Sequence, residues 1–288
     1  MRKRKLRKES KMPRALFTSK NLIGDALYIQ LALKRWVEEH PGWDIDLLTL
    51  NDHITCLYEG MGIPNLRVIF ERDEGFASYY GNYDFEHVFN VNDAFALGDK
   101  ELLHISQAYM KLLGQEVPSL PPRVEYIPPD GPCEEDKVLL SMFSNSCASR
   151  EGKPPNKMLS WTLWMEVLTL ARQFGDILVP GGPKDEGAAP LPLLESEYYC
   201  GKSLPEVART LRRAKLLITI DNGMGHLAAT QGTPTILFYP KCLGQHWIIP
   251  SGNPNLVVFH VDPVYFDATM GKRAVREGIK TLTQRRTV

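Results

Sequence analysis

The segment that most constrains this chain is residues 216–240, LLITIDNGMGHLAATQGTPTILFYP. The apolar run 216–220 predicts a buried strand that ends at Asp221. Asn222-Gly223-Met224-Gly225 then opens a helix over 223–231, and residues 235–239 predict a second strand. Glycines let the backbone come close to a ligand, and the first turn of a helix presents N–H groups with no helical partner. Those donors and the helix dipole favour a phosphate. The same residues also fit a tight strand-to-helix turn with no ligand, in which Asp221 or Asn222 simply caps the helix. His226 falls on the first helical turn, either facing the same anion or packing inside. Alone, this segment leaves both readings open.

The alternation of strand and helix extends along the chain. Residues 14–19 predict a short buried strand. From Asp25 onward Ala26, Ile29, Leu33, Trp36 and Val37 fall on one helical face, until His40-Pro41-Gly42 breaks the helix. Strands follow over 45–50 and 66–70 with a helical stretch around 54–61 between them. Residues 75–84 read as an aromatic and polar loop, 86–91 as a strand and 99–113 as a helix. In the second half, strands are expected over 138–143, 177–180 and 256–260, and helices over 161–174, 204–214 and 274–282. This pattern predicts an α/β fold: two Rossmann-like domains whose parallel sheets face an interdomain cleft, with ligands beyond the carboxyl ends of the strands. Residues 117–133 hold six of the chain's 21 prolines, the mark of a linker. The expected division is a basic tail 1–12, an N-terminal domain 13–116, a linker 117–134 and a C-terminal domain 135–288.

A chain of 288 residues suits two such domains. With 34 basic and 34 acidic residues there is no whole-protein field to draw in nucleic acid or an anionic surface. Residues 1–11, MRKRKLRKESK, nevertheless carry seven Lys or Arg against one Glu. Three readings of this tail stand: a solvated disordered segment, an electrostatic tether to anionic lipid or nucleic acid, or an artefact of the gene start. No apolar run reaches the length of about 20 residues that a membrane-spanning helix needs. The five cysteines show no metal-ligand spacing and are odd in number, so free thiols in a reducing cytoplasm are expected. That places the protein in the cytoplasm, peripheral at the inner face of the membrane if the tail is a tether.

DNGMGHLAATQGTP resembles the D-[ST]-G-x-x-H-L-A-A-x-x-G-T-P signature of the heptosyltransferase-type glycosyltransferases (family 9, GT-B fold). IGDALYIQLALKRWVEEHPGWDIDLLT is similar to that family's opening motif, in which a Gly-Asp turn begins a helix. Lys157, with Trp164 seven residues on, matches the spacing of K-x-W-P-x-x-x-W, although Leu159 and Ser160 replace its Trp-Pro. Gly181-Gly182-Pro183 stands where the family has a GGP turn.

The resemblance implies an inverting sugar transfer from a nucleoside-diphosphate sugar, with that donor as co-substrate, no other cofactor and no obligatory metal. Asp25, after Gly24, occupies the position of the general base, which must take the proton of the attacking hydroxyl. Asp25 as a plain helix N-cap is the alternative reading. Asp221 holds sugar hydroxyls. Asn222, Gly223 and the backbone of Met224 and Gly225 are candidate donors to the departing diphosphate, with Lys157 as its cation. Ser144, Asn145 and Ser146 are candidates to contact phosphate or acceptor, or else form a plain turn. Glu186 is a candidate to hydrogen-bond the ribose or base. Two departures are visible: Asn222 replaces the family's Ser or Thr, and the first domain is shortened, which leaves the acceptor open. Other readings are a non-catalytic nucleotide-sugar-binding module tethered by the tail, and a GT-B-like sugar-nucleotide epimerase.

Overall fold

The computed structural model describes residues 12–19, 22–70, 85–91, 93–143, 159–182, 191–241, 249–262 and 265–286. The chain divides into two compact units, Met1–Pro121 and Pro122–Val288, each built on its own parallel sheet. The sequence reading of an α/β chain with two Rossmann-like sheets is thus the observed architecture.

The first unit runs β1 (Arg14–Ser19), α1 (Ile23–Glu39), β2 (Asp44–Thr49), α2 (Thr55–Glu59), β3 (Leu66–Phe70), β4 (His87–Asn90), α3 (Asp93–Glu101) and α4 (Ile105–Leu112). Its four strands pair in parallel in the order β3-β2-β1-β4. Leu16 and Phe17 of β1, Leu47 and Leu48 of β2, and Leu27, Leu33 and Trp36 of α1 are all buried. The Phe17 ring stacks on Phe89 at 4.9 Å and meets Trp36 edge-on at 5.3 Å. A carboxylate is buried in this sheet: Asp46 is held by Arg14 at 2.6 Å and by the forked Arg67 at 2.8 and 2.7 Å. Without such partners a carboxylate so buried is strongly destabilising.

The helix expected over 99–113 is two helices. Leu102 adopts a left-handed backbone (φ 55°) and ends α3. His104 then starts α4: its Nδ1 accepts the N–H of Ser106 at 3.3 Å, while Gln107 Oε1 accepts the N–H of His104 at 2.9 Å. This is a reciprocal cap with histidine in the place where sequence rules look for Ser, Thr, Asp or Asn.

The second unit runs β5 (Val138–Ser141), α5 (Trp161–Ala171), β6 (Ile177–Gly181), β7 (Tyr198–Cys200), α6 (Leu204–Arg213), β8 (Leu216–Ile220), α7 (Gly223–Gln231), β9 (Thr235–Pro240), β10 (Leu256–Val261) and α8 (Ala268–Arg286). Six parallel strands lie in the order β10-β9-β8-β5-β6-β7. The three-residue β7 was not legible as a strand. The closing helix is longer than the expected 274–282, and two glycines let it settle on its neighbours. A Cβ on Gly278 would stand 2.7 Å from Ile236 Cδ1, and one on Gly271 2.9 Å from Leu163 Cγ.

The proline-rich segment is divided between the units. On the first unit, Gln107 Nε2 donates to the carbonyl of Pro118 at 2.7 Å. On the second, Ser251, Gln231 and Arg209 donate to the carbonyls of Pro122, Tyr126, Pro129 and Pro132. Prolines have no N–H to offer, so side chains satisfy the carbonyls of such a strap.

Burial pushes the Tyr199 phenol from its ordinary 10.0 up to about 12 where it bonds Thr210 at 2.9 Å beside Glu206. The folded state therefore holds this proton more tightly than the unfolded chain. Its contribution to stability is complete below pH 10.0 and is lost as pH rises towards about 12. Urea unfolding from pH 8 to 11 should show that loss for the native chain, and a shallower one for Tyr199→Phe.

Candidate functional site

β8 is buried along its whole length and delivers Asp221 and Asn222 at its carboxyl end, 2% and 8% exposed. Asn222 is the N-cap of α7, with extended backbone (φ −154°, ψ 175°). Its Oδ1 accepts the N–H groups of Met224 at 3.0 Å and Gly225 at 3.2 Å. Its Nδ2 donates to Phe143 O at 2.9 Å, Ser141 Oγ at 2.9 Å and Ser141 O at 3.3 Å. N–H donors surround one end of the amide and acceptors the other, which fixes its orientation. The Thr219 hydroxyl, buried beside it, lies within bonding distance of Asn222 Oδ1 (3.1 Å), Ser141 O and Ile220 O (both 3.0 Å).

Two of the expected anion donors, the N–H groups of Met224 and Gly225, are therefore taken up by the cap. The Asn222 amide, expected to face the anion, donates instead to the end of β5. The N–H of Gly223, first in the helix, is not among those the cap takes up. His226 lies on the inner side of this turn, 6% exposed, with Nε2 3.8 Å from Asp221 Oδ1. That separation is too long for a hydrogen bond but suits charge attraction when the imidazole is protonated.

The topology makes this place a switch point of the sheet. From β5 the chain winds to β6 and β7 on one side. It then returns to lay β8, β9 and β10 on the other. Where neighbouring strands lead into opposite windings, their carboxyl ends part and leave a crevice. In the second unit that point lies between β5 and β8, where α7 begins.

In the first unit the corresponding point lies between β1 and β4, and α1 begins there. Gly24 is buried and Asp25 half-buried in its first turn. Asp25 is not the N-cap considered from the sequence. Leu22 is the N-cap, and Asp25, three residues in, accepts the N–H of Leu22 on Oδ2 at 3.2 Å.

Residues 132–259, most of the second unit, match the sequence profile of glycosyltransferase family 9 (heptosyltransferase). The second unit carries a glycosyltransferase family 9 domain. The fold of the whole chain agrees with that assignment. The ADP-heptose LPS heptosyltransferase II of E. coli matches with a TM-score of 0.68 at 14% identity, over 96% of this chain and 100% of that one. A family 9 glycosyl transferase from Veillonella parvula gives 0.66 at 14%, over 95% and 97%. E. coli heptosyltransferase WaaC with ADP gives 0.60 at 18%, over 93% and 99%. At these identities the likeness is one of fold. No protein of curated function matches the chain in sequence. Together, profile and fold support a glycosyltransferase.

In the family 9 domain Gly181 closes β6, and its carbonyl accepts the N–H of Gly201 at 3.1 Å; Gly182 is exposed. Ser144, Asn145, Ser146, Lys157 and Glu186 lie outside the described residues, as do residues 1–11 and the loop expected over 75–84. Sequence reasoning missed Ser141 and Thr219, two hydroxyls inside apolar strands whose only signal is polarity at a buried strand position. Among the described residues no group of three or more His, Cys, Asp or Glu is placed to hold a metal, and no helix is long and apolar enough to cross a membrane.

A Cβ on Gly225 would meet Thr219 Cγ2 at 3.5 Å and nothing closer, an ordinary contact. The fold therefore does not need glycine there, and alanine suits a helix better by up to about 1 kcal/mol. Gly225→Ala is expected to melt at or slightly above the native temperature. A large drop in melting temperature would contradict this packing.

Proposed function

We propose that the protein is an inverting glycosyltransferase that moves a sugar from a nucleoside-diphosphate sugar to an acceptor hydroxyl, without an obligatory metal. The observation that carries the proposal is the start of α7 at the switch point of a family 9 domain. Helix N–H groups and the helix dipole there favour the diphosphate of the donor. Two of the fold neighbours are described with ADP or as acting with ADP-heptose, so ADP-linked sugars, heptose included, are the first donors to test.

In this reading the acceptor oxygen attacks the anomeric carbon from the face opposite the leaving group. Its proton passes to the carboxylate of Asp25 as the new C–O bond forms. The bond from the anomeric carbon to the diphosphate breaks, and its electron pair leaves with the diphosphate. Gly223 N–H and the α7 dipole stabilise that charge, with Lys157 as the cation, the task a metal performs elsewhere. Asp221 holds sugar hydroxyls. Glu186 binds the ribose or base, and the backbone around Gly24, Gly181 and Gly182 allows close approach, with Ser144, Asn145 and Ser146 contacting phosphate or acceptor. Seven basic residues in the first eleven add peripheral contact with an anionic surface. Deleting residues 1–11 should then abolish salt-dependent binding to anionic liposomes; unchanged binding removes the tail from this role.

Asp25→Asn keeps an oxygen to accept the N–H of Leu22, so α1 should still start in place while the base is lost. Transfer is expected to fall by about two orders of magnitude or more, with ADP binding unchanged. Lys157→Ala should weaken both binding and turnover. Undiminished transfer by Asp25→Asn would remove Asp25 as the base. A native chain that binds nucleotide sugars yet transfers to no acceptor would instead be a binding module.

A further inference from the structure

Asn222 stands where the family signature has Ser or Thr. Any of the three caps a helix, because each offers an oxygen to the first N–H groups. Only asparagine also brings two N–H donors of its own. Here those donors cross the switch point and bind the end of β5 at Phe143 O, Ser141 Oγ and Ser141 O. The paired register of β5 and β8 ends at Ser141 opposite Thr219. The ladder pairing ends at that rung, and the Asn222 side chain continues the connection as far as Phe143.

The tie is dry. Ser141 is 1% exposed, Thr219 0% and Asn222 8%. Its hydrogen bonds therefore meet little competition from water, and an acceptor left without a donor there carries its full desolvation penalty. The Thr219 hydroxyl braces the amide from below, 3.1 Å from Asn222 Oδ1 and 3.0 Å from Ser141 O.

We infer that Asn222 is a positioning residue for the donor. Through Ser141 and Phe143 it bolts the end of β5 to the first turn of α7 and fixes the crevice in which the Gly223 N–H meets the diphosphate. Asn222 itself does not touch the donor. A site whose donors are already in place does not have to reorganise when charge arrives. The inference rests on the proposed donor reading, and the experiment separates the two.

ADP binding is measured by calorimetry on the full chain, with UDP, GDP and TDP as further probes. The native chain is compared with Asn222→Ser, with Ser141→Ala/Thr219→Val, and with all three changes combined, each shown folded by its melting curve. Asn222→Ser keeps the cap and loses the N–H pair; the second variant removes the two bracing hydroxyls, which lie behind the amide. Asn222→Ser should weaken nucleotide binding about tenfold, and Ser141→Ala/Thr219→Val several-fold. The combined variant should be no weaker than Asn222→Ser alone, because all act through one tie. Weakening by Asn222→Ser with native affinity for Ser141→Ala/Thr219→Val would mean direct contact with the donor and overturn the inference. Native affinity in both variants would also overturn it. If Asn222→Ser does not fold, Asn222→Asp replaces it in the same comparison. A native chain that binds none of the four nucleotides would overturn the donor reading instead.

Discussion

The pairing of β5 with β8 joins Val138–Ser141 to a strand 78 residues further along the chain. Both strands are fully buried, so this apolar contact is made early in the logic of the second unit and much else follows from it. Two strands so distant in sequence become neighbours only if the intervening chain winds away to one side and the later chain to the other. The sheet order β10-β9-β8-β5-β6-β7 is that arrangement. The switch point between the carboxyl ends is its geometric consequence, and so is the placing of a helix start there.

The first unit repeats the plan on four described strands, with α1 starting at the β1–β4 switch point. Each unit thus places its chemically loaded turn, Gly24-Asp25 or the 221–226 segment, at the position where its own sheet opens. In the second unit one side chain spans that position. Asn222 caps α7 with its oxygen and holds β5 with its nitrogen, so the strand end and the helix start form one piece. A residue that departs from the resembled signature thus serves both as helix cap and as a tie to β5, and in the proposed function it leaves the Gly223 N–H to face the donor.

Much of this was legible from residues alone. The 216–220 strand and 223–231 helix lie where apolar content and the Asp-Asn-Gly turn place them, because local and tertiary preferences agree there. Elsewhere the long-range partner decides. Leu102 breaks a helix that its neighbours favour, and His104 restarts it with a cap that depends on Ser106 and Gln107. The three residues of β7 are a strand only because β6 lies beside them. At the site, the Asp25 position was visible, but not that its carboxylate holds the Leu22 N–H. The role of Asn222 was hidden for a related reason: its partners Ser141 and Phe143 are 81 and 79 residues away. No local pattern records a bond of that span.

The proposed transfer requires that a nucleoside diphosphate bind at the start of α7. Amide hydrogen exchange of the full chain, followed with and without saturating ADP or the nucleotide that binds best, tests it most directly. Exchange should slow over residues 221–226, with the Gly223 amide foremost, and at the end of β5 around 141–143. Nucleotide binding that protects some other part of the chain, and leaves 221–226 exchanging as before, would contradict the account.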